Sequence, residues 1–171
     1  METLVEYDIA GVDFSAGITI TGLQGDRING AMKVEFVGNT TGGGGDILLG
    51  LNGDTTSFSS QYLRSSSSTV NASSGTSNII SDNAKGRFGT VVWIYPQSGQ
   101  NRPMLVETNT EATIGSLYQI FKKAIWFNNT ADELTSMKIY SNTANAQTAK
   151  IRISVPKGTK MASPSAILTV N

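Results

Sequence analysis

With no histidine and no cysteine, any chemistry in this 171-residue chain must come from carboxylates, amides, hydroxyls and a few aromatic rings. The missing imidazole removes the commonest general base and the side chain that titrates near neutrality. The missing thiol excludes disulfide frameworks, Cys zinc sites, iron–sulfur clusters and thiol nucleophiles. A carboxylate pair could still hydrolyse glycosides. The candidates are Asp46 with Asp54 and Glu107 with Glu111, but Asp54 sits in turn chemistry and the two glutamates flank a loop. No catalytic residue is therefore assigned. Asp26, Asn29, Asn52, Asp54, Asp82 and Asn83 carry oxygen atoms suited to calcium, yet they lack the regular spacing of an EF-hand loop and read as turn residues. The run Gly42 to Gly45 is not a phosphate loop, since no Gly-Lys-Ser/Thr follows it. No metal and no cofactor is expected. Trp93, Tyr95 and Trp126 are the candidates for stacking on a glycan, although they lie in the most apolar segments, where core packing is the default.

Charged residues make up 15% of the chain, against about 25% in an average soluble domain. Thirteen basic residues balance thirteen acidic ones, and no basic stripe of the nucleic-acid-binding kind is visible. A small domain with zero net charge is poorly protected against self-association, so the chain is expected to work inside an assembly. No apolar run approaches the ~20 residues needed to span a bilayer, and no membrane partner is expected. The start, Met1 to Glu6, lacks the basic and apolar regions of a secretion signal, which points to folding in a reducing cytoplasm. For 18.1 kDa, area scaling gives roughly 8,000 Å² of exposed surface, with some two-thirds of the unfolded surface buried. One domain can form a core without staples.

The elements that would position any site are short alternating segments. Met32, Val34 and Phe36 share one face while Lys33 and Glu35 take the other, as period two demands. Asp46 to Leu63 reads as a hairpin reversed at Asn52-Gly53-Asp54, whose residues tolerate positive φ. The four glycines before it read as a mobile turn, because they cost too much backbone entropy inside an element. Asp8 to Phe14 reads as a bend. Part of 68–80 is expected to pair at a sheet edge, with Ile79 and Ile80 anchoring its end. Phe88 to Tyr95 predicts a central strand stopped by Pro96. Ile114 to Phe127 fits a helical stripe or a long strand, and the β context on both sides favours the strand. Leu134 to Tyr140 and Ala149 to Val155 are two further strands. The count predicts an all-β protein, an antiparallel two-sheet β-sandwich resembling a jelly roll with about nine to eleven strands. Residues 1–155 form the domain, and 156–171 read as a C-terminal extension whose apolar tip either packs back or, as favoured here, docks on a neighbouring subunit.

Leu51-Asn-Gly-Asp-Thr-Thr-Ser-Phe-Ser-Ser-Gln-Tyr-Leu63 resembles a signature of small β-sandwich virion structural proteins of tailed bacteriophages. Gly17 to Leu23 before it, Trp126 to Ile139 after it and Lys150 to Val155 at the end are similar to further segments of those proteins, in the same order. The sequence departs from them at Ala146 to Ala149 and in the extra tail 156–171. The resemblance implies a non-enzymatic capsid decoration, head fibre, collar or tail component made in the host bacterial cytoplasm and located in the virion. Implied partners are other virion proteins, capsid or tail subunits, and further copies of the chain. The candidate assembly contacts are Leu4, Val5 and Tyr7 near one end and Ile167, Leu168 and Val170 near the other. The alternative is a carbohydrate-binding module recognising host-surface glycans.

Overall fold

The computed structural model describes residues 1–66, 69–113, 117–143, 146–160 and 167–170, with no account of side chains at 10–13, 41–44, 66, 83–85, 112–113, 117–118, 146–147, 168 and 170. Among the described residues eleven strands follow in order: β1 (Glu2–Asp13), β2 (Ile18–Thr21), β3 (Met32–Leu51), β4 (Phe58–Ser66), β5 (Thr69–Gly75), β6 (Ile79–Ile94), β7 (Arg102–Thr113), β8 (Leu117–Phe127), β9 (Ser136–Ser141), β10 (Ala146–Val155) and β11 (Ile167–Val170). They build a two-layer antiparallel β-sandwich. The larger layer is ordered β1-β10-β3-β6-β7-β8-β4-β5 and the smaller β11-β2-β9-β3, so that β3 serves both. The accessible surface, 7948 Å², agrees with the size expected from mass.

Alternation sets the layers. Met32, Val34 and Phe36 of β3, Val92 and Ile94 of β6, and Ile151 and Ile153 of β10 all point into the space between the sheets. Met137 and Ile139 of β9 and Ile18 and Ile20 of β2 close it from the other side. Phe14, Phe36 and Phe88 pack in series through this core, with Phe14–Phe36 and Phe36–Phe88 centroids 5.3 and 5.2 Å apart. The ambiguous segment is a strand, β8, whose Phe121, Ile125 and Phe127 are buried while Ile120, Lys122 and Trp126 face out; Ile114 lies outside the described residues.

Two expectations fail at the same element. The glycine run is not a mobile turn: β3 continues through it, and its pairing with β6 shifts register between Thr40 and Gly45. Such an irregularity bends a strand, and here it carries β3 from the large layer, where it meets β10, to the small layer, where it meets β9. Gly45 fits closely at the bend, where a Cβ would overlap the Thr143 hydroxyl unless that side chain turned away. The second failure is the hairpin. Asn52 (φ 52°) and Gly53 (φ 77°) do form a tight turn, closed by reciprocal bonds of 2.9 and 3.0 Å between Leu51 and Asp54. The chain then leaves the sheet, and β4 pairs with β8 and β5 instead of β3. A turn sequence fixes a local reversal; it does not choose the next strand's partner. The expected bend at Asp8 to Phe14 is instead the end of β1, irregular between Ile9 and Val12.

β5 is an edge strand with every residue exposed, as the 68–80 reading required. Ile80 is buried at the start of β6, which extends nine residues further back than the Phe88 start read from sequence. β11 is the opposite edge, antiparallel to β2 of its own chain.

Candidate functional site

The outward face of the large layer carries the aromatic candidates. Residues paired directly across antiparallel strands share a face, so Lys33, Trp93, Leu105, Ala124, Gln61 and Ser74 form one row across the sheet. The adjoining row holds Pro103 and Trp126, with the Tyr95 amide donating to the Pro103 carbonyl at 3.2 Å. Tyr95 is 51% exposed and Trp126 37%, so neither belongs to the core that their apolar surroundings suggested. Trp93 is half-buried beneath the Lys33 ammonium, 5.6 Å from the ring centroid. Val37, Leu63, Val70, Leu105 and Ile120 also emerge on this face, and a shallow depression of about 550 Å³ lies over Leu63, Ala72, Leu105 and Ala124.

Of the terminal candidates, Leu4 and Val5 pack partly against the core, whereas Tyr7 (44% exposed) and Ile167 (56%) stand on edge strands β1 and β11. The Leu168 and Val170 side chains lie outside the described residues.

The carboxylates do not gather as catalytic or calcium groups. Asp54 accepts the amides of Thr56 and Ser57 at 2.7 and 3.0 Å, and hydrogen bonding from the Ser57 side chain first, then from these amides, lowers its carboxyl to about 2. Glu107 pairs with Lys122 at 2.9 Å, and Glu111 accepts the Arg87 amide at 3.1 Å. Asp26 accepts the Ser98 amide and hydroxyl, which lowers its carboxyl below the usual range. Asn52 is a staple: its Oδ1 accepts the Thr135 and Ser136 amides at 2.9 and 3.1 Å, and its Nδ2 donates to the Glu133 carbonyl at 2.8 Å. Asn29 is exposed, and the Asn83 side chain lies outside the described residues. Among the described residues no three His, Cys, Asp or Glu side chains converge as metal ligands would.

A second polar region was missed by sequence reasoning. On the inner face, β8 places Lys123 opposite Tyr62 of β4, and Phe121 opposite Arg64. The first residues of β6 cross above them. Lys123 is 2% exposed and donates to the carbonyls of Ser77 and Ile79 at 3.0 and 3.2 Å. Arg64 pairs with Asp82 at 2.6 Å. Burial raises the Asp82 carboxyl, the Arg64 charge opposes that, and the neighbouring Asp46 carboxylate reinforces it. Burial likewise pushes the Lys123 ammonium down to about 8, against the pull of Asp82 and Asp46. Asp46 is fixed in turn by Asn142, whose Nδ2 donates to its carboxylate at 3.0 Å. Alternation carried the signal: Phe121, Lys123, Ile125 and Phe127 share a face, so a lysine on it enters the interior.

Below the other end of the sheet, Arg102 is fully buried. Its Nε donates to the Pro96 carbonyl at 3.0 Å, and its terminal nitrogens reach the Asn129 and Asp132 carbonyls. Burial lowers this guanidinium from its ordinary value, while Asp26 and Asp132 act to raise it. It ties the loop after β6 to the loop after β8.

Comparison with protein-family models, with curated proteins and with solved structures returns no match to this chain.

Proposed function

We propose that the chain is a non-enzymatic structural component of a bacteriophage virion, a capsid decoration, head fibre, or collar or tail protein, acting by protein–protein assembly. One observation carries the assembly part. Among the described residues, seven of the ten large exposed hydrophobics (Val37, Leu63, Val70, Tyr95, Leu105, Ile120 and Trp126) stand on the outward face of a single sheet. Scattered exposed apolar residues are ordinary, but a shared face marks an interaction surface. That sheet ends at β5, Thr-Val-Asn-Ala-Ser-Ser-Gly, which carries none of the charges or prolines that usually block edge pairing. The virion setting comes from the resemblance of Leu51 to Leu63 and the segments around it. The test is particle incorporation of Leu105→Lys and Val70→Lys, whose side chains point to solvent. Both variants should fold as the parent does by circular dichroism and fail to join particles; normal incorporation would remove the outer face from the account.

The second reading, a carbohydrate-binding module, is favoured by Tyr95 and Trp126 flanking Pro103 on neighbouring strands. Blank binding to bacterial polysaccharides would count against it.

A further inference from the structure

We propose that the cleft between the β4–β5 hairpin and the start of β6 is a binding site for a single saccharide unit of a larger glycan. The inference deepens the carbohydrate reading by moving its site from the outer face to the interior mouth of the sandwich, and it stands apart from the assembly reading. The cleft encloses about 350 Å³, near the lower end of the roughly 300–1,000 Å³ of ligand pockets. Its lining divides into two kinds. Half-buried Tyr62 offers apolar ring surface, with the buried Phe121 ring packed behind it at 5.4 Å between centroids. Beside them on the same inner face lie Lys123, whose ammonium is 5.9 Å from the Phe121 ring centroid, and Arg64, which pairs with Asp82 of β6.

The charge balance selects the ligand. Arg64 and Lys123 are offset by Asp82 and by Asp46 behind it. A free phosphate or carboxylate would meet two carboxylates as well as two cations, and a cation would meet the reverse. A purely apolar ligand would strand buried polar groups at a cost of about 1–3 kcal/mol each. A neutral polyhydroxyl ring avoids both penalties, because its hydroxyls donate to Asp82 and accept from the cations while its C–H face lies on the Tyr62 ring.

Two donors stand at the cleft wall with capacity to spare. Arg64 Nε has no acceptor and is closed off from solvent until the side chain turns. Lys123 directs two N–H groups to the Ser77 and Ile79 carbonyls, which leaves one of the three that an ammonium carries. Because the ion pair and these carbonyls already fix both cations, little ordering remains to oppose binding.

The test is a titration of the full chain with glucose, galactose, N-acetylglucosamine and rhamnose, followed by amide chemical shifts, with inorganic phosphate as a further probe. At least one sugar should give saturable shifts centred on Tyr62, Asp82 and Lys123. Tyr62→Ala and Asp82→Asn should weaken it by about tenfold or more, Tyr62→Phe should largely retain it, and Trp126→Ala and Tyr95→Ala should leave it unchanged. Circular dichroism spectra matching the parent would show that the cleft variants are folded. If no sugar binds, the cleft proposal is overturned, and so it is if phosphate binds more tightly than every sugar. Binding that Trp126→Ala abolishes and Tyr62→Ala spares would overturn the cleft while keeping the carbohydrate reading on the outer face.

Discussion

Lys123 makes stability depend on pH in a direction opposite to that of an ion-paired lysine such as Lys150, whose ammonium Glu6 holds above its ordinary range. In the unfolded chain its ammonium loses its proton near 10.5, and in the fold near 8. Between those values the unfolded state holds more protons than the native one, so stability rises with pH. Below pH 8 the ammonium is charged in both states and its burial is a full cost. At about 1.4 kcal/mol per pH unit, the gap amounts to roughly 3 kcal/mol, and solvent reaching the cleft would reduce the gain to about 2. Urea unfolding at intervals from about pH 7 to pH 11 would measure it, with Lys123→Met as the reference that lacks the titrating group. The parent should gain about 2–3 kcal/mol over the variant between pH 8 and 10.5. The absolute stability of Lys123→Met is not the readout, since it also frees the Ser77 and Ile79 carbonyls. A parent whose stability runs parallel to the variant across that window would refute the burial argument for this side chain.

Three further outcomes rest on single residues. Arg102→Met orphans three carbonyls while sparing most of the side-chain volume; it should cost about 3–5 kcal/mol in urea unfolding, and a loss below about 1 would show that the loops are held otherwise. Asn52→Gly keeps the positive φ but removes the bonds to 133–136, so it should cost about 1–3 kcal/mol, with Asn52→Ala worse because it adds backbone strain; equal costs would mean that φ is immaterial there. Gly38→Ala would bring a Cβ to 2.7 Å from the Thr148 carbonyl and 2.9 Å from the Ala149 Cβ, so its melting temperature should fall by an amount matching about 1–3 kcal/mol, and an unchanged value would show that β3 and β10 can separate freely.

What the sequence made legible rests on period two and on context. The faces of Met32 to Phe36 follow from alternation, while the edge placement of 69–75 follows from the improbability of so long a loop and the strand at 117–127 from its β surroundings. Partner choice did not follow. Asn52-Gly53 encodes a reversal, but whether Phe58 returns beside Leu51 depends on β8, more than fifty residues onward. Backbone entropy makes the run at 42–45 look like a turn, whereas at Gly45 the reason for glycine is steric and lies in Thr143. Tyr95 and Trp126 are flanked by core residues, so composition hid an outward orientation that alternation from Ile94, Ile125 and Phe127 would have revealed. The Arg64–Asp82–Lys123 cleft joins three distant segments and had no local spacing to announce it.

The most direct measurement is electron cryomicroscopy of intact virions assembled with and without this chain. The assembly account expects added density with the shape of this sandwich, the outward face of its eight-stranded layer pressed against another subunit. Particles that lack the chain, or that hold it with Leu105 and Trp126 turned to open solvent, would contradict it.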